Sequence, residues 1–209
     1  MKKFRTILFM LALILAGSAA RPQIANGLYG MKKLKKVDTN TILKYAKRYR
    51  IPFKANFMLD TADVKFLSSF DTAIFKEQVK NHYQPLQALY YNRNGQLVSF
   101  QVNCYAGGVP NLDWDRNGNM TVFPPKQQAP VDKIVLSTLL DYLEPLPPTK
   151  NIFKGNYDYT VVVFWSVFMG RQSRRLIHIV QDNMQLNTNK RIRVLYVNTD
   201  NFFASLGEK

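Results

Sequence analysis

An α/β fold, with a mixed sheet and flanking helices, is what three stretches of this chain predict. The first is Thr160 to Trp165, a continuous apolar run rich in β-branched side chains that suits a strand buried on both faces. The second begins at Ser173: Leu176, Ile177, Val180 and Met184 recur at helical spacing, with Arg174, Arg175, Gln181 and Asp182 off that stripe. Ile192 to Val197 then returns to strand character and ends at Asn198-Thr199-Asp200, which makes a βαβ unit with a right-handed crossover. The third stretch is a hairpin, in which Pro85 to Tyr91 and Gln96 to Tyr105 flank the turn Asn92-Arg93-Asn94-Gly95.

The remaining elements follow in chain order. Met1-Lys2-Lys3-Phe4-Arg5, an apolar run from Ile7 to Ala16 and small residues to Ala20 describe a secretory signal peptide over 1–20. That run is shorter than the roughly 20 residues a membrane span needs, so no transmembrane span is expected after cleavage. Leu15-Ala16-Gly17 starts like a bacterial lipoprotein box, but Ser18 stands where the lipidated cysteine would be. The chain is therefore expected to be exported without a lipid anchor, to the periplasm or the extracellular space. Residues 21–37 form a basic arm containing Lys32, Lys33, Lys35 and Lys36. Asp38, Thr39 or Asn40 then caps a helix that runs to about Arg50, with Ile42, Leu43, Ala46 and Tyr49 on its apolar face.

Lys54 to Leu59 reads as a strand, 60–69 as a loop or ragged strand, and 71–83 as a helix with Ile74, Phe75 and Val79 inward. After the hairpin, 131–143 carries the helical spacing of Ile134, Val135, Leu139, Leu140 and Leu143. Residues 38–143 thus form one α/β half, 144–159 a proline-containing connector with Pro145, Pro147 and Pro148, and 160–209 a βαβ half.

The corner after Trp165 resembles the redox centre of the thioredoxin family. In that family a buried strand ends in a tryptophan, and Cys-Gly-Pro-Cys follows three residues later and opens a helix. Trp165 matches the tryptophan, and Met169-Gly170-Arg171-Gln172 occupies the four motif positions without either cysteine or the proline. The chemistry needs a thiolate whose pKa is lowered at a helix N-terminus. A thioether and an amide do not supply one, so the resemblance implies a kept fold and a lost activity.

The proline entering a strand, the Asn-Gly hairpin and a closing helix resemble the family's second half. By that resemblance Pro85 is the candidate cis-proline. The halves are in reversed order, which fits either a circularly permuted sheet or a complete first domain with an added βαβ piece. One sheet is favoured, with 160–165 between 192–198 and 86–91, because a lone βαβ leaves strand faces uncovered.

Other chemistries find little raw material. Cys104 is the only cysteine among 209 residues, so no intramolecular disulfide forms, and its place in an alternating run points to burial. Asp113, Asp115, Asn117 and Asn119, with Gly118 at the sixth position, resemble half of a calcium loop, but Pro124 stands where its bidentate glutamate belongs. The alternative there is a second Asn-Gly hairpin with Thr121-Val122-Phe123 as a strand. His82 and His178 are the only histidines, and neither is placed beside an acid or nucleophile.

Arg171, Arg174 and Arg175 cluster at a helix start, a candidate anion-binding position. Nine basic residues and one acid, Asp38, lie between Lys32 and Lys54, within a chain of net charge +15. The expectation is an exported, redox-inactive, thioredoxin-like binding or interaction module. It needs no cofactor and no metal, and its partner is an unknown protein or peptide, or an anionic surface, rather than nucleic acid. The competing readings are a thiol enzyme using Cys104 and a basic protein adhering to anionic glycans or lipids.

Overall fold

The computed structural model describes residues 32–63, 77, 79–102, 114–131, 134–148 and 155–206. The expected signal peptide 1–20, the arm before Lys32, Cys104, Asp113 and most of the expected helix 71–83 lie outside the described residues.

Helix α1 spans Thr39–Arg48, and the Asp38 side chain caps it by accepting from Thr41 N at 2.9 Å. It buries Ile42 and Ala46. It ends in a paired turn: Arg50 N donates to Lys47 O and Ile51 N to Ala46 O. This closure places Arg50 at φ 61, a position that favours glycine. A 3-10 turn, Phe53–Ala55, leads into β1, Asn56–Leu59. The strand is therefore shorter than the expected 54–59.

Strands β2, Gln87–Asn92, and β3, Leu97–Val102, form the expected hairpin, with Gly95 at φ 73 in its turn. Helix α2, Leu136–Leu140, is followed by β4, Leu143–Pro145. The expected helix 131–143 is thus corrected to one short turn of helix and a strand. Leu143, Glu144 and Pro145 pair antiparallel with β1, and Asp60 N donates to Tyr142 O at 2.9 Å. Ladder hydrogen bonds to a neighbouring strand outweigh the helical spacing there. Strand β5, Tyr159–Trp165, helix α3, Arg171–Gln185, and β6, Ile192–Asn198, form the βαβ unit, and α4, Asp200–Leu206, follows.

The six strands make one mixed sheet in the order β3-β2-β5-β6-β1-β4. β5 is parallel to β6 and antiparallel to β2, and β1 is parallel to β6. Strand 160–165 therefore lies between 192–198 and 86–91, as expected, and both halves of the chain contribute to one sheet. Alternation along β5 divides the core. Val161, Val163 and Trp165 enter the layer that holds Ile42, Ala46, Leu176 and Val180, whereas Val162 and Phe164 enter the layer that holds Leu136, Leu139 and Phe202. All five of these β5 side chains are buried, which is why the run had to be apolar on both faces.

Both sheet edges are curtailed. β4 is three residues long and ends in Pro145, which has no N–H to offer. Along the outer side of β3, Phe100 O accepts from Gln128 N and Ala129 N, Val102 N donates to Gln128 Oε1, and Gln101 Nε2 donates to Lys126 O.

Residues 116–124 correct a second expectation. Arg116–Thr121 is a 3-10 stretch in which Asn117 and Gly118 both have positive φ, 65 and 66. No strand forms at 121–123, because the Met120 and Val122 carbonyls accept from Asn183 Nδ2 of α3, at 2.8 and 2.7 Å, instead of from a strand neighbour.

Candidate functional site

The site grows from the carboxyl end of β5, where Trp165 hands over to the corner 166–170 and α3 begins. Trp165 is fully buried, and Tyr49 of the α1 cap packs edge-on against it with ring centroids 5.6 Å apart. The Tyr49 hydroxyl donates to Gly170 O at 3.1 Å. Burial pushes the Tyr49 phenol up to about 12, so it stays a protonated donor near neutral pH.

The corner satisfies its own backbone. Val167 N and Phe168 N donate to the two oxygens of Asp200, at 2.6 and 3.1 Å, and Asn198 Nδ2 adds a third bond at 2.7 Å. Met169 N donates to Ser166 Oγ at 3.2 Å, and Gly170 N to Val167 O at 3.2 Å. Ser173 Oγ donates to Ser166 O and accepts from Ser166 N, which ties the corner to the first turn of α3. Gly170 takes φ 45 and ψ −104, a backbone state that glycine reaches without strain. Four successive N–H groups, from Val167 to Gly170, are spent inside the fold.

Asp200 is the internal anion of this arrangement. It is fully buried, and burial raises its pKa, opposed by the hydrogen bonds from Val167, Asn198 and Phe168 and by the Lys32 charge. No signal in the sequence singled it out, although a run of polar residues at a strand end, Asn198-Thr199-Asp200, marked the place.

Met169, Gly170 and Gln172 are all buried, and Arg171 is exposed. Both amide atoms of Gln172 are shielded and have no hydrogen-bond partner among the described residues. Arg174 and Arg175 are exposed beside Arg171. The backbone donors of Val167 to Gly170 are engaged within the fold, and the exposed Arg171, Arg174 and Arg175 stand at this end of α3.

No protein-family model, curated protein or solved structure matches this chain.

Pro85 stands near the corner without the expected bond geometry. Thr199 Oγ1 lies 3.3 Å from the carbonyl oxygens of both Pro85 and Trp165, and Thr199 N donates to Trp165 O at 2.9 Å. The cis X-Pro bonds among the described residues are Phe123–Pro124 and Leu146–Pro147, so the assignment of Pro85 as a cis-proline is corrected. Pro85 meets the corner through its carbonyl and Thr199.

The calcium-loop candidates are only partly described. Asp115 Oδ1 accepts from Met120 N at 2.8 Å and so closes its own turn, Asn119 O accepts from Lys126 N, and Asn117 is exposed at a positive φ. Among the described residues no group of three or more His, Cys, Asp or Glu side chains gathers as a metal site, and no helix is long and apolar enough to cross a membrane.

Proposed function

We propose that this is an exported, thioredoxin-like protein that has lost its redox centre and serves as a non-catalytic binding or interaction module. One observation carries the reading. The Trp165 corner sits at the carboxyl end of a middle strand flanked by parallel β6 and antiparallel β2, with the Pro85 carbonyl reached through Thr199. That is where a permuted thioredoxin-like sheet would carry its Cys-Gly-Pro-Cys motif. The loss of chemistry follows from the side chains: a buried thioether and a buried amide stand at the two thiol positions. Export rests on the signal-peptide pattern of 1–20.

The test restores the sulfurs. In a Cys104→Ser background, Met169→Cys with Gln172→Cys should close an intramolecular disulfide under mild oxidation, detected by mass spectrometry and by a mobility shift on reduction. The unmodified protein should reduce insulin no faster than the dithiothreitol background. Two thiols that stay free in the folded double variant would remove the kinship, and measurable insulin reduction by the natural chain would remove the non-catalytic assignment.

A further inference from the structure

The densest charge on the chain lies between Lys32 and Lys54, where nine basic residues less one acid carry a net +8 of the chain's +15. All ten are exposed. The acid, Asp38, spends both carboxylate oxygens on capping α1, one accepting from Thr41 N and the other from Thr41 Oγ1.

The fold gathers this charge and fixes it in place. The segment before α1 is tied down at both ends. Lys32 N donates to Phe168 O at 2.7 Å, while its ammonium lies 4.3 Å from the centre of the Tyr45 ring and donates to the Tyr45 hydroxyl. Val37 N donates to Asn201 Oδ1 at 2.7 Å, and Asn201 Nδ2 returns a bond to Val37 O at 3.0 Å. Lys33, Leu34, Lys35 and Lys36 lie between these anchors and are exposed.

Helix α1 continues the same surface. Lys44, Lys47 and Arg48 stand three and four positions apart and so share a helical face. The hydrogen bond from Lys32, joined by the charges of Lys32, Arg48 and Lys44, holds the Tyr45 phenol below its ordinary pKa. The 3-10 turn that carries Lys54 packs against α1 and extends the basic face.

Two exposed apolar side chains are set among these cations. Leu34, between Lys33 and Lys35, is 38% exposed, and Phe53, between Pro52 and Lys54, is 60% exposed. A charged glycan offers neither of them an apolar contact. A membrane surface suits both kinds of residue, because lysines reach the head-group phosphates while apolar side chains enter the acyl boundary. Seven of the nine cations are lysines, mobile point charges that follow a fluid array of head groups, rather than arginine forks matched to one fixed anion.

We propose that this surface docks the protein onto a membrane containing anionic phospholipid, with the Lys32–Lys36 segment and α1 against the head groups and Leu34 and Phe53 inserted beneath them. Neither the thioredoxin-like kinship nor the lost redox centre is needed for this docking.

The experiment is cosedimentation of the full chain with vesicles of phosphatidylcholine alone and of phosphatidylcholine mixed equally with phosphatidylglycerol. The mixed vesicles should bind at least about tenfold more tightly, and added salt should narrow the difference. Lys33→Gln, Lys35→Gln and Lys47→Gln together should weaken binding to mixed vesicles about a hundredfold. Lys126→Gln, Lys190→Gln and Arg191→Gln remove the same charge elsewhere and should have a far smaller effect. Lys190 and Arg191 sit before the amino end of β6, whereas Lys32 is bonded beyond the carboxyl end of the parallel β5. Leu34→Ser with Phe53→Ser should weaken vesicle binding about tenfold and leave binding to heparin beads unchanged. The melting temperature should hold in every variant, since these side chains are exposed. All variants share residues 1–31, so any contribution of the apolar run 7–16 cancels between them.

Equal partition onto the two kinds of vesicle overturns the proposal, and so does equal weakening by the two charge triplets. Salt-sensitive capture on heparin beads without preference for the mixed vesicles makes the partner a glycan and overturns it as well. The insulin assay is independent of all these results, so the redox-inactive module reading and the membrane docking fail separately.

Discussion

Gln172 is expensive where it stands. An amide with neither Oε1 nor Nε2 partnered in a dry interior carries a desolvation cost of about 1–3 kcal/mol. Gln172→Met, of similar length and without polar atoms, should raise the urea midpoint by an amount equivalent to about 1–3 kcal/mol. A lowered midpoint would mean that the amide is satisfied in the folded protein. At this scale the sequence singled out the corner through a motif but not the residues that hold it together. Trp165, Met169, Gly170 and Gln172 stood out through a motif, whereas Tyr49, Ser166, Ser173 and Asp200, which hold the corner by hydrogen bonds, belong to no motif. Their roles depend on residues up to 121 positions apart, and spacing along the chain does not encode such meetings.

Among the elements, α3 does more than cover the sheet. Asn183, fully on its buried side, holds the Met120 and Val122 carbonyls and so pins the 3-10 stretch 116–121 against the helix. Asn183→Leu should cost about 1–3 kcal/mol by leaving two carbonyls with their donor removed. Amide exchange at Gly118 and Met120 should quicken in that variant while β5 amides keep their protection, and unchanged exchange there would show that the clamp is idle. Helices α1 and α3 were legible because their apolar residues repeat on one face and Asp38 caps the first. β4 was not legible: three residues are too few for a period, and Leu143 also completes a helical stripe. The same ambiguity misread Thr121 to Phe123, whose fate is decided by the Asn183 side chain, 61 residues after Val122.

For the molecule as a whole, the sheet order was half legible. The need to bury both faces of the β5 run argued for one continuous sheet, and the thioredoxin-like resemblance implied β6 and β2 as its neighbours, but the addition of β1 and β4 beyond β6 left no local trace. A second whole-molecule property is a pH dependence set on the other face of the sheet. Asp63 is buried beside His82, Gln87 and Tyr91 around a void of about 20 Å³. Burial pushes its carboxyl up to about 6, with Asp60 adding to the rise and His82 opposing it.

The folded protein thus holds this proton more tightly than the unfolded chain does. The associated stability is fully present below about pH 4 and is lost as pH rises through about 6. Asp63→Asn should therefore match the natural chain at pH 4 and exceed it at pH 8 by up to about 3 kcal/mol. Urea titrations at the two pH values check this, and equal differences at both would exclude Asp63 as the source.

The curtailed margins of the sheet narrow how this protein meets others. Among the described residues, β4 is three residues long and closed by a proline, and the 126–129 segment is already bonded along β3, so a visiting strand finds little edge to pair with. On the proposed reading as an interaction module, recognition would then depend on the side chains that a partner carries rather than on its backbone.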